Sequence, residues 1–234
     1  MKKKQIICGS LVWMLVTLIS CRQQAPVQAY VLNAEERHWC DSMQLDSSVI
    51  QDLRKLCSGT MEPFHYSLSK MIQHGVETEV DPMHLNGLVI QESNTKSYNL
   101  VLSLRENFRK RGYSIFLLEN GFGINGRADH IGILKTTDKY TILKEIKTDG
   151  INYDIDTDSL CRIIKQFDDR YSLELIGASG DWCEFLIKSE PTNWTAFAQE
   201  VYKVCPDVVD QGTGSVEALA DEMKRSHRLF FWWD

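Results

Sequence analysis

The sequence lacks several features that would point to common functions. It contains no internal apolar run of about 18 residues, so nothing after the N-terminus is expected to span a membrane. It contains no Cys-x-x-Cys pair and no His at metal-ligand spacing from a Cys, and we therefore predict no metal site and no cofactor. Apart from the lysines at the N-terminus, the only basic cluster is Arg109-Lys-Arg111, which lies at the end of a predicted helix, where cations complement the helix dipole. Because nucleic-acid binding needs clustered Lys and Arg side chains, no nucleic-acid partner is expected.

Two motifs resemble ligand sites, but the residues around each motif exclude that interpretation. Gly121-Phe-Gly-Ile-Asn-Gly126 fits the glycine fingerprint of dinucleotide-binding proteins, but a second predicted strand follows it instead of the helix that would face the pyrophosphate. Asp154-Ile-Asp-Thr-Asp158 starts like a calcium loop, but it lacks the glycine at the sixth position, and Lys165 replaces the bidentate glutamate. The first motif indicates a hairpin, and the second indicates a helix cap at Asp156 or Thr157.

Residues 1–20 have the composition of an export signal. Lys2-Lys-Lys4 forms a positive segment, and the apolar stretch Ile6–Ile19 after it is too short for a typical transmembrane helix. The stretch ends in Leu18-Ile-Ser-Cys21, which resembles the lipobox of bacterial lipoproteins. This resemblance implies cleavage before Cys21 and attachment of lipid chains, such as palmitate, to Cys21. The alternatives are an ordinary signal peptide or a short anchor, with Cys21 there by chance.

Lipidation of Cys21 would hold the protein on a membrane without spanning it. Residues 21–32 are predicted to form a tether between the lipid and the fold, because the stretch from Arg22 to about Ala29 is polar and contains Pro26. The expected location is the bacterial cell envelope. Arg22, instead of an aspartate, follows the cysteine, which is typical of lipoproteins on the periplasmic side of the outer membrane if the host is diderm. The formal charge of the whole chain is −6 and becomes about −9 once Lys2, Lys3 and Lys4 are removed.

Five cysteines remain after Cys21, and export would allow them to form disulfides. Because the number is odd, at least one of them must be a free thiol. Cys40 and Cys57 lie in the segment that has the least core of its own, and they are the only candidate pair. The five are Cys40, Cys57, Cys161, Cys183 and Cys205.

Residues 33–135 are predicted to form an N-terminal α/β region that can pack on the same sheet as the rest of the chain. Its helices are expected at 33–39, 46–57 and 96–110, and its strands at 85–91, 113–118 and 130–134. No assignment is made for residues 61–82, where strand and loop fit equally well.

Residues 136–234 are predicted to form a C-terminal α+β domain. Its strands are expected at 140–147, 173–176, 182–188 and 227–233, and its helices from Asp156 or Thr157, at 191–204 and at 215–224. This order is that of a ferredoxin-like, or split βαβ, fold, which has an antiparallel sheet with helices on one face. The strands of residues 85–135 can extend that sheet.

The same region resembles a known family. The residues that carry the resemblance are Thr148-Asp-Gly-Ile-Asn-Tyr153, Gly180-Asp-Trp182, Cys205-Pro-Asp-Val-Val-Asp-Gln-Gly212 and the terminal Leu229–Asp234. They are similar to those of the bacterial family called domain of unknown function 4253, over roughly the last 95 residues. No activity is established for that family, so the resemblance implies a domain boundary and no mechanism.

Asp207 and Asp210 are the candidate acidic site. They lie three residues apart, between a strong predicted helix and a shorter one. Two such carboxylates can bind a cation or serve as acid and base, or they can cap the short helix and accept hydrogen bonds from loop amides. The pairs Asn152–Tyr153 and Asp181–Trp182 would join them if the loops cluster.

Trp232 and Trp233 are predicted to lie on opposite faces of the last strand. One of them should belong to the core, and the other should be exposed or covered by the N-terminal region. An exposed tryptophan on a sheet is a common anchor for a partner or ligand. Asp234 and its free terminal carboxylate add negative charge beside these indoles.

These observations favour a membrane-anchored envelope lipoprotein that works by binding. The expected partner is a protein, such as a toxin bound by an immunity lipoprotein, or a small envelope ligand. The alternative is a hydrolase that uses Asp207 and Asp210, with or without a divalent cation. A hydrolase requires both carboxylates in one concave pocket beside a basic partner such as His227 or Arg228, whereas a binding module requires an exposed aromatic or acidic face.

Overall fold

The computed structural model describes residues 30–73, 76–121 and 127–234, and only the backbone of the described residues between 68 and 82. The leader, Cys21 and most of the 121–126 glycine motif lie outside these ranges. Within them, no helix has the length and apolar character required to cross a membrane. The elements are α1 Ala34–Met43, α2 Ser47–Leu56, β1 Met61–Gln73, β2 Val76–Ser93, α3 Asn94–Lys110, β3 Ser114–Glu119, β4 Ala128–Leu134, α4 Lys139–Ile146, α5 Thr157–Tyr171, β5 Leu173–Ala178, β6 Trp182–Ile187, α6 Trp194–Val204, α7 Val216–Ser226 and β7 Arg228–Trp232.

The strands form one open sheet in the order β1-β2-β4-β3-β5-β6-β7. Every neighbouring pair is antiparallel except β3 and β5, which run parallel and meet at Leu117 and Gly177. The predicted α+β class is therefore confirmed, and the strands of residues 85–135 do extend the sheet of the C-terminal residues. Residues 61–82, which had no assignment, belong to the long β1–β2 hairpin.

The predicted strand at 140–147 is wrong, because this segment is helix α4. The Asp138 carboxylate accepts hydrogen bonds from the Tyr140 and Thr141 amides and so caps a helical first turn. Ile142, Leu143 and Ile146 are buried at helical spacing, whereas Tyr140 is only half-buried. In a segment of only eight residues, strand alternation and helical spacing place apolar residues at several of the same positions. The Asp138 cap therefore decides in favour of the helix.

The ferredoxin-like order is also wrong, since it needs a strand where α4 lies. In residues 136–234, β5, β6 and β7 are consecutive antiparallel neighbours in a sheet of seven strands, with the described strands of the N-terminal region continuing beyond β5. The three predicted helices, α5, α6 and α7, do pack on one face of this sheet, and α4 packs on the same face.

The sheet separates two hydrophobic cores. Side chains alternate between the faces of a strand, so in β3 Phe116 and Leu118 join the core beneath α4–α7, and Ile115 and Leu117 join the core beneath α1–α3. Because both faces of the central strands are buried, one face is covered by helices of the N-terminal region and the other by helices of the C-terminal region.

Two helices that border the candidate site begin at side-chain caps, and α6 begins at Trp194, three residues later than predicted. The Asn193 side chain accepts a hydrogen bond from the Ala196 amide at the start of α6, and the Ser215 side chain accepts one from Ala218 at the start of α7. The buried stripe of α6 consists of Phe197, Ala198 and Val201. These caps fix the connection between α6 and α7, which carries Asp207 and Asp210.

The cysteines after Cys21 are all free and buried, which includes the candidate pair Cys40 and Cys57. The structure therefore has no disulfide between the two residues of the candidate pair. Both thiols lie in the core beneath α1–α3, where they pack as small apolar side chains.

Candidate functional site

Asp207 is buried at the centre of a hydrogen-bond cluster whose other members, Tyr153, Gln211 and Asp234, are exposed. Its Oδ1 accepts a 2.5 Å hydrogen bond from the Tyr153 hydroxyl and a 3.1 Å bond from the Gln211 side-chain amide, and its Oδ2 accepts a 3.0 Å bond from the Asp234 amide. A π-helical turn at Val208–Thr213 brings Gln211 back over Asp207. The structure thus brings together Tyr153, Asp207 and Asp234, three of the residues predicted from the sequence.

The electrostatics of this cluster are those of a satisfied carboxylate. Burial raises the pKa of Asp207, but the hydrogen bonds from Tyr153, Asp234 and Gln211 outweigh burial, and the net pKa lies below its usual value. The hydrogen bond to Asp207 raises the pKa of Tyr153 to about 12. Asp207 is therefore an ionised acceptor whose oxygens are already occupied, which is how a structural carboxylate behaves.

Asp210 does not join Asp207. Its side chain is exposed and accepts a 3.0 Å hydrogen bond from the Tyr202 hydroxyl on α6. The candidate basic partners are also engaged elsewhere, because His227 contacts Glu190 at 3.0 Å and Arg228 contacts Glu184 at 3.5 Å. Asn152 is exposed in a short 3-10 turn, Ile151–Tyr153. The two aspartates therefore do not converge on one pocket.

Trp233 belongs to the core. Its side chain is 2 % exposed, its ring is stacked on Phe231 at 5.7 Å, and its Nε1–H donates to the Val204 carbonyl at 3.3 Å. Gly150 lies directly against the indole, where an added Cβ would come within 2.8 Å of the ring. The Gly150 position in the Thr148–Tyr153 motif is thus explained by close packing against Trp233.

Asp181 and Trp182, although adjacent in sequence, lie in different environments. Asp181 holds β7 through its carbonyl, which accepts the Trp233 amide at 3.0 Å, while its side chain is exposed. Partial burial, together with the charges of Asp234 and Asp149, raises the pKa of Asp181. Trp182 is buried on the face opposite Trp233, with its ring 6.0 Å from that of Phe230. Trp182 is therefore a packing residue.

Trp232 is half-buried and lines a groove of about 400 Å³ along the outer edge of β7. We call it the β7 groove. One side carries Tyr98, Glu184, Arg228, Phe230 and Trp232, and the other carries Val208, Leu219, Glu222 and Met223. A mostly apolar groove with a few polar groups is typical of a ligand site. Of the two tryptophans of the last strand, Trp232 is the one available to a partner.

An ion pair lies inside this groove. The Arg228 guanidinium is 3.9 Å from the centre of the Tyr98 ring and 3.5 Å from the Glu184 carboxylate. Burial raises the pKa of Glu184 to about 6, although Arg228 lowers it. Burial and the charge of Glu184 raise the pKa of Tyr98, whose hydroxyl is buried and has no hydrogen-bond partner among the described residues. The floor of the groove thus combines an aromatic ring, a cation and a carboxylate.

Three residues of the groove, Tyr98, Glu184 and Phe230, are not indicated by the sequence. Arg228 is indicated only as a basic partner for Asp207 or Asp210. Tyr98 lies in the predicted helix 96–110 and Glu184 in the predicted strand 182–188, and neither position by itself indicates a site. The available signal was that Glu184 alternates with Cys183 and Phe185 and therefore points to the opposite face of its strand. In an interior strand of a sheet that is covered on both faces, a residue on that opposite face is also buried.

A second, more polar cavity of about 250 Å³ lies between α3, α4 and β5. Four of its charged side chains pair within the cavity: Arg105 with Glu174 at 3.3 Å, and Lys139 with Asp168 at 2.8 Å. Tyr140 also donates to Asp168 at 2.8 Å. These contacts join α4 to α5 and α3 to β5, so the cavity is part of the scaffold.

In the described ranges, no group of three or more His, Cys, Asp or Glu side chains is arranged to hold a metal ion.

A family model described as Domain of unknown function (DUF4253) matches residues 130–234. These residues are therefore a DUF4253 domain, and the resemblance inferred from the sequence is confirmed. The matched part runs from β4 to the last residue and contains Glu184, Arg228, Phe230 and Trp232 of the β7 groove. Tyr98 precedes it. Comparison with curated proteins gave no match, and comparison with solved structures gave none either.

Proposed function

We propose that this protein is a lipid-anchored component of the bacterial cell envelope that works by binding a partner in the β7 groove. The observation that carries the proposal is the half-buried position of Trp232, beside Phe230 and Tyr98, in a groove of about 400 Å³. Aromatic side chains in a concave, partly apolar surface are the usual anchors of an interface. The partner class is an envelope protein, which includes a toxin if the protein acts in immunity.

The carboxylate geometry supports binding better than hydrolysis. Asp207 accepts three hydrogen bonds from its own chain, and Asp210 points to Tyr202. Neither carboxylate lines the β7 groove. A general base must reach its substrate directly or through one water, and these two aspartates share no pocket in which a substrate would meet both.

The anchor is proposed from residues 2–22. The positive segment, the short apolar stretch and the Cys21 ending are together typical of a lipoprotein leader. Lipid on Cys21 and a tether that ends before Tyr30 and Leu32, which pack against the core, would place the domain beside the membrane, on the periplasmic side of the outer membrane in a diderm host. Metabolic labelling with an alkyne fatty acid tests this, because Cys21→Ser should abolish the label. Equal labelling of wild type and Cys21→Ser would disprove the anchor.

The binding proposal is tested by quantitative crosslinking capture from envelope fractions, using the full-length chain in mild detergent. We expect Trp232→Ala to reduce capture of the principal partner at least tenfold. Leu56→Ala is the matched control, because Leu56 is also a large apolar residue and is 55 % exposed, but it lies on α2. Capture that survives Trp232→Ala and fails with Leu56→Ala would place the binding surface elsewhere.

A further inference from the structure

The outer edge of β7 has one open backbone position. Along the β6–β7 pair, the His227 carbonyl accepts the Ile187 amide at 2.8 Å, and the Trp233 amide donates to the Asp181 carbonyl at 3.0 Å. In antiparallel pairing, residues alternate between facing their partner strand and facing away. His227, Leu229, Phe231 and Trp233 therefore face β6, while Arg228, Phe230 and Trp232 turn their amides and carbonyls outward.

Side chains engage the backbone at both ends of this outward edge. The Ser226 hydroxyl accepts the Arg228 amide at 3.2 Å. At the other end, the Cys205 thiol donates to the Trp232 carbonyl at 2.8 Å and accepts the Trp232 amide at 3.3 Å. Between them, the amide and carbonyl of Phe230 have no partner within the described ranges, where β7 is the last strand of the sheet. An open edge position of this kind is a template for an additional strand.

We propose that the β7 groove binds an extended peptide segment of the partner, which adds to β7 as a short eighth strand through the amide and carbonyl of Phe230. The inference rests on the proposed binding function and specifies the partner's chemistry. One partner residue would exchange two backbone hydrogen bonds with Phe230, the pattern of an antiparallel pair. Its neighbours would alternate between the Tyr98 and Trp232 side of the groove and the Leu219 and Met223 side.

The charged residues of the β7 groove indicate which side chains the bound segment should carry. The β7 groove contains two carboxylates, Glu184 and Glu222, but one cation, Arg228, which already pairs with Glu184. Glu222 is exposed on α7 and has no ion-pair partner among the described residues. The chain as a whole carries a net charge of −6. A segment that places a Lys or Arg beside Glu222 therefore complements the groove, whereas an acidic segment would be repelled.

The test uses peptides whose backbone can be altered. Random heptapeptides displayed on phage are selected against the full-length chain in detergent, with Trp232→Ala as the counter-target. We expect the selected peptides to alternate apolar residues and to carry a Lys or Arg. A synthetic peptide N-methylated at the residue that pairs with Phe230 should bind about tenfold more weakly than its parent, because it cannot donate to the Phe230 carbonyl.

Variants of the protein at Phe230 test the same backbone pairing from the side of β7. Phe230→Leu keeps the amide and an apolar side chain, whereas Phe230→Pro removes the amide at an outward position that an edge strand tolerates. Both variants lose the aromatic ring, but only Phe230→Pro also loses the amide, so we expect Phe230→Pro to bind the peptide about tenfold more weakly than Phe230→Leu, with the melting temperature of each variant measured first. Glu222→Gln should weaken Lys- or Arg-containing peptides two- to fivefold.

The outcomes separate this inference from the binding proposal on which it rests. If the N-methylated peptide binds as tightly as its parent at every position scanned, strand addition is wrong, even if Trp232→Ala still abolishes partner capture. If no peptide is selected over the counter-target, the partner is not an extended segment. If Trp232→Ala leaves capture of the partner intact, the β7 groove is not the binding site and the proposed function fails with it.

Discussion

Trp232 and Trp233 are neighbours in sequence but lie in two different regions of the molecule. Trp233 is sealed between Phe231 and Gly150 beneath α6 and α7, beside a carboxylate whose oxygens are all engaged. Trp232 stands on the other face of β7, half-buried, in a groove with an open backbone edge. Strand alternation assigns the two indoles to the two faces, and the packing above each face decides that one indole stabilises the fold while the other can bind.

The largest expected effect is that of Trp233→Ala. Removing a buried indole leaves a cavity and an unpaired Val204 carbonyl, and we expect a loss of about 3–5 kcal/mol in the free energy of unfolding. Urea denaturation of the full-length protein in detergent measures it. A loss below that of Trp232→Ala would overturn the division of roles between the two residues.

Asp207→Asn should come next, with a loss of about 1–3 kcal/mol at neutral pH, because an amide replaces a charged acceptor of three hydrogen bonds. The pKa of Asp207 is lowered in the folded protein. Its contribution is therefore fully present above the ordinary carboxyl pKa, near 4, and is lost as the pH falls through the lowered value. Melting temperatures of the two proteins should converge toward pH 2.5. A constant difference across the whole pH range would indicate a steric effect instead.

On the groove side, Glu184 should produce the opposite pH dependence. Its pKa is raised to about 6 in the folded protein, so the folded state binds the proton more tightly than the unfolded chain does. Stability is then greatest below the unfolded pKa of about 4.5 and falls by about 2 kcal/mol as the pH rises through 6. We expect Glu184→Gln to remove this slope, as measured by melting temperature between pH 4 and pH 7.5. An unchanged slope in the variant would assign it to another group.

The smallest effect on stability is expected for Trp232→Ala, at about 1 kcal/mol or less, because the side chain is only half-buried. The same variant should have the largest effect on partner capture. Measuring both properties for Trp232→Ala and Trp233→Ala, with Leu56→Ala as the surface control, gives the sharpest form of the comparison. Capture by Trp233→Ala is measured below its melting temperature, where the folded fraction should still bind.

The sequence predicts the helices α5, α6 and α7 well, because each has a side-chain cap and a buried stripe long enough to exclude alternation. The prediction is wrong at α4, because a segment of eight residues fits both the strand period and the helical period. Only the Asp138 cap distinguishes the two. The predicted site is only partly assembled. Asp207, Tyr153 and Asp234 meet, but what they form is a satisfied structural cluster.

The β7 groove was beyond prediction for a different reason. Its aromatic side chains come from α3 and β7, its carboxylates come from β6 and α7, and its cation comes from β7. Contacts of this kind depend on which helix covers which part of the sheet, and local periodicity does not contain that information. The opposite faces of Trp232 and Trp233 were predictable, but the identity of the covered face depended on the packing of α6 and α7.

The single parallel contact between β3 and β5, at Leu117 and Gly177, has a consequence for how the chain folds. It is the seam between two antiparallel half-sheets, β1-β2-β4-β3 and β5-β6-β7, and each half is built mainly from strands close in sequence. Local pairings close short loops and form quickly, whereas parallel pairing across an intervening stretch of chain is slow. The seam should therefore close late, after both half-sheets exist. Because the β7 groove joins Tyr98 from one half to Arg228 from the other, it should be among the last features of the native protein to form.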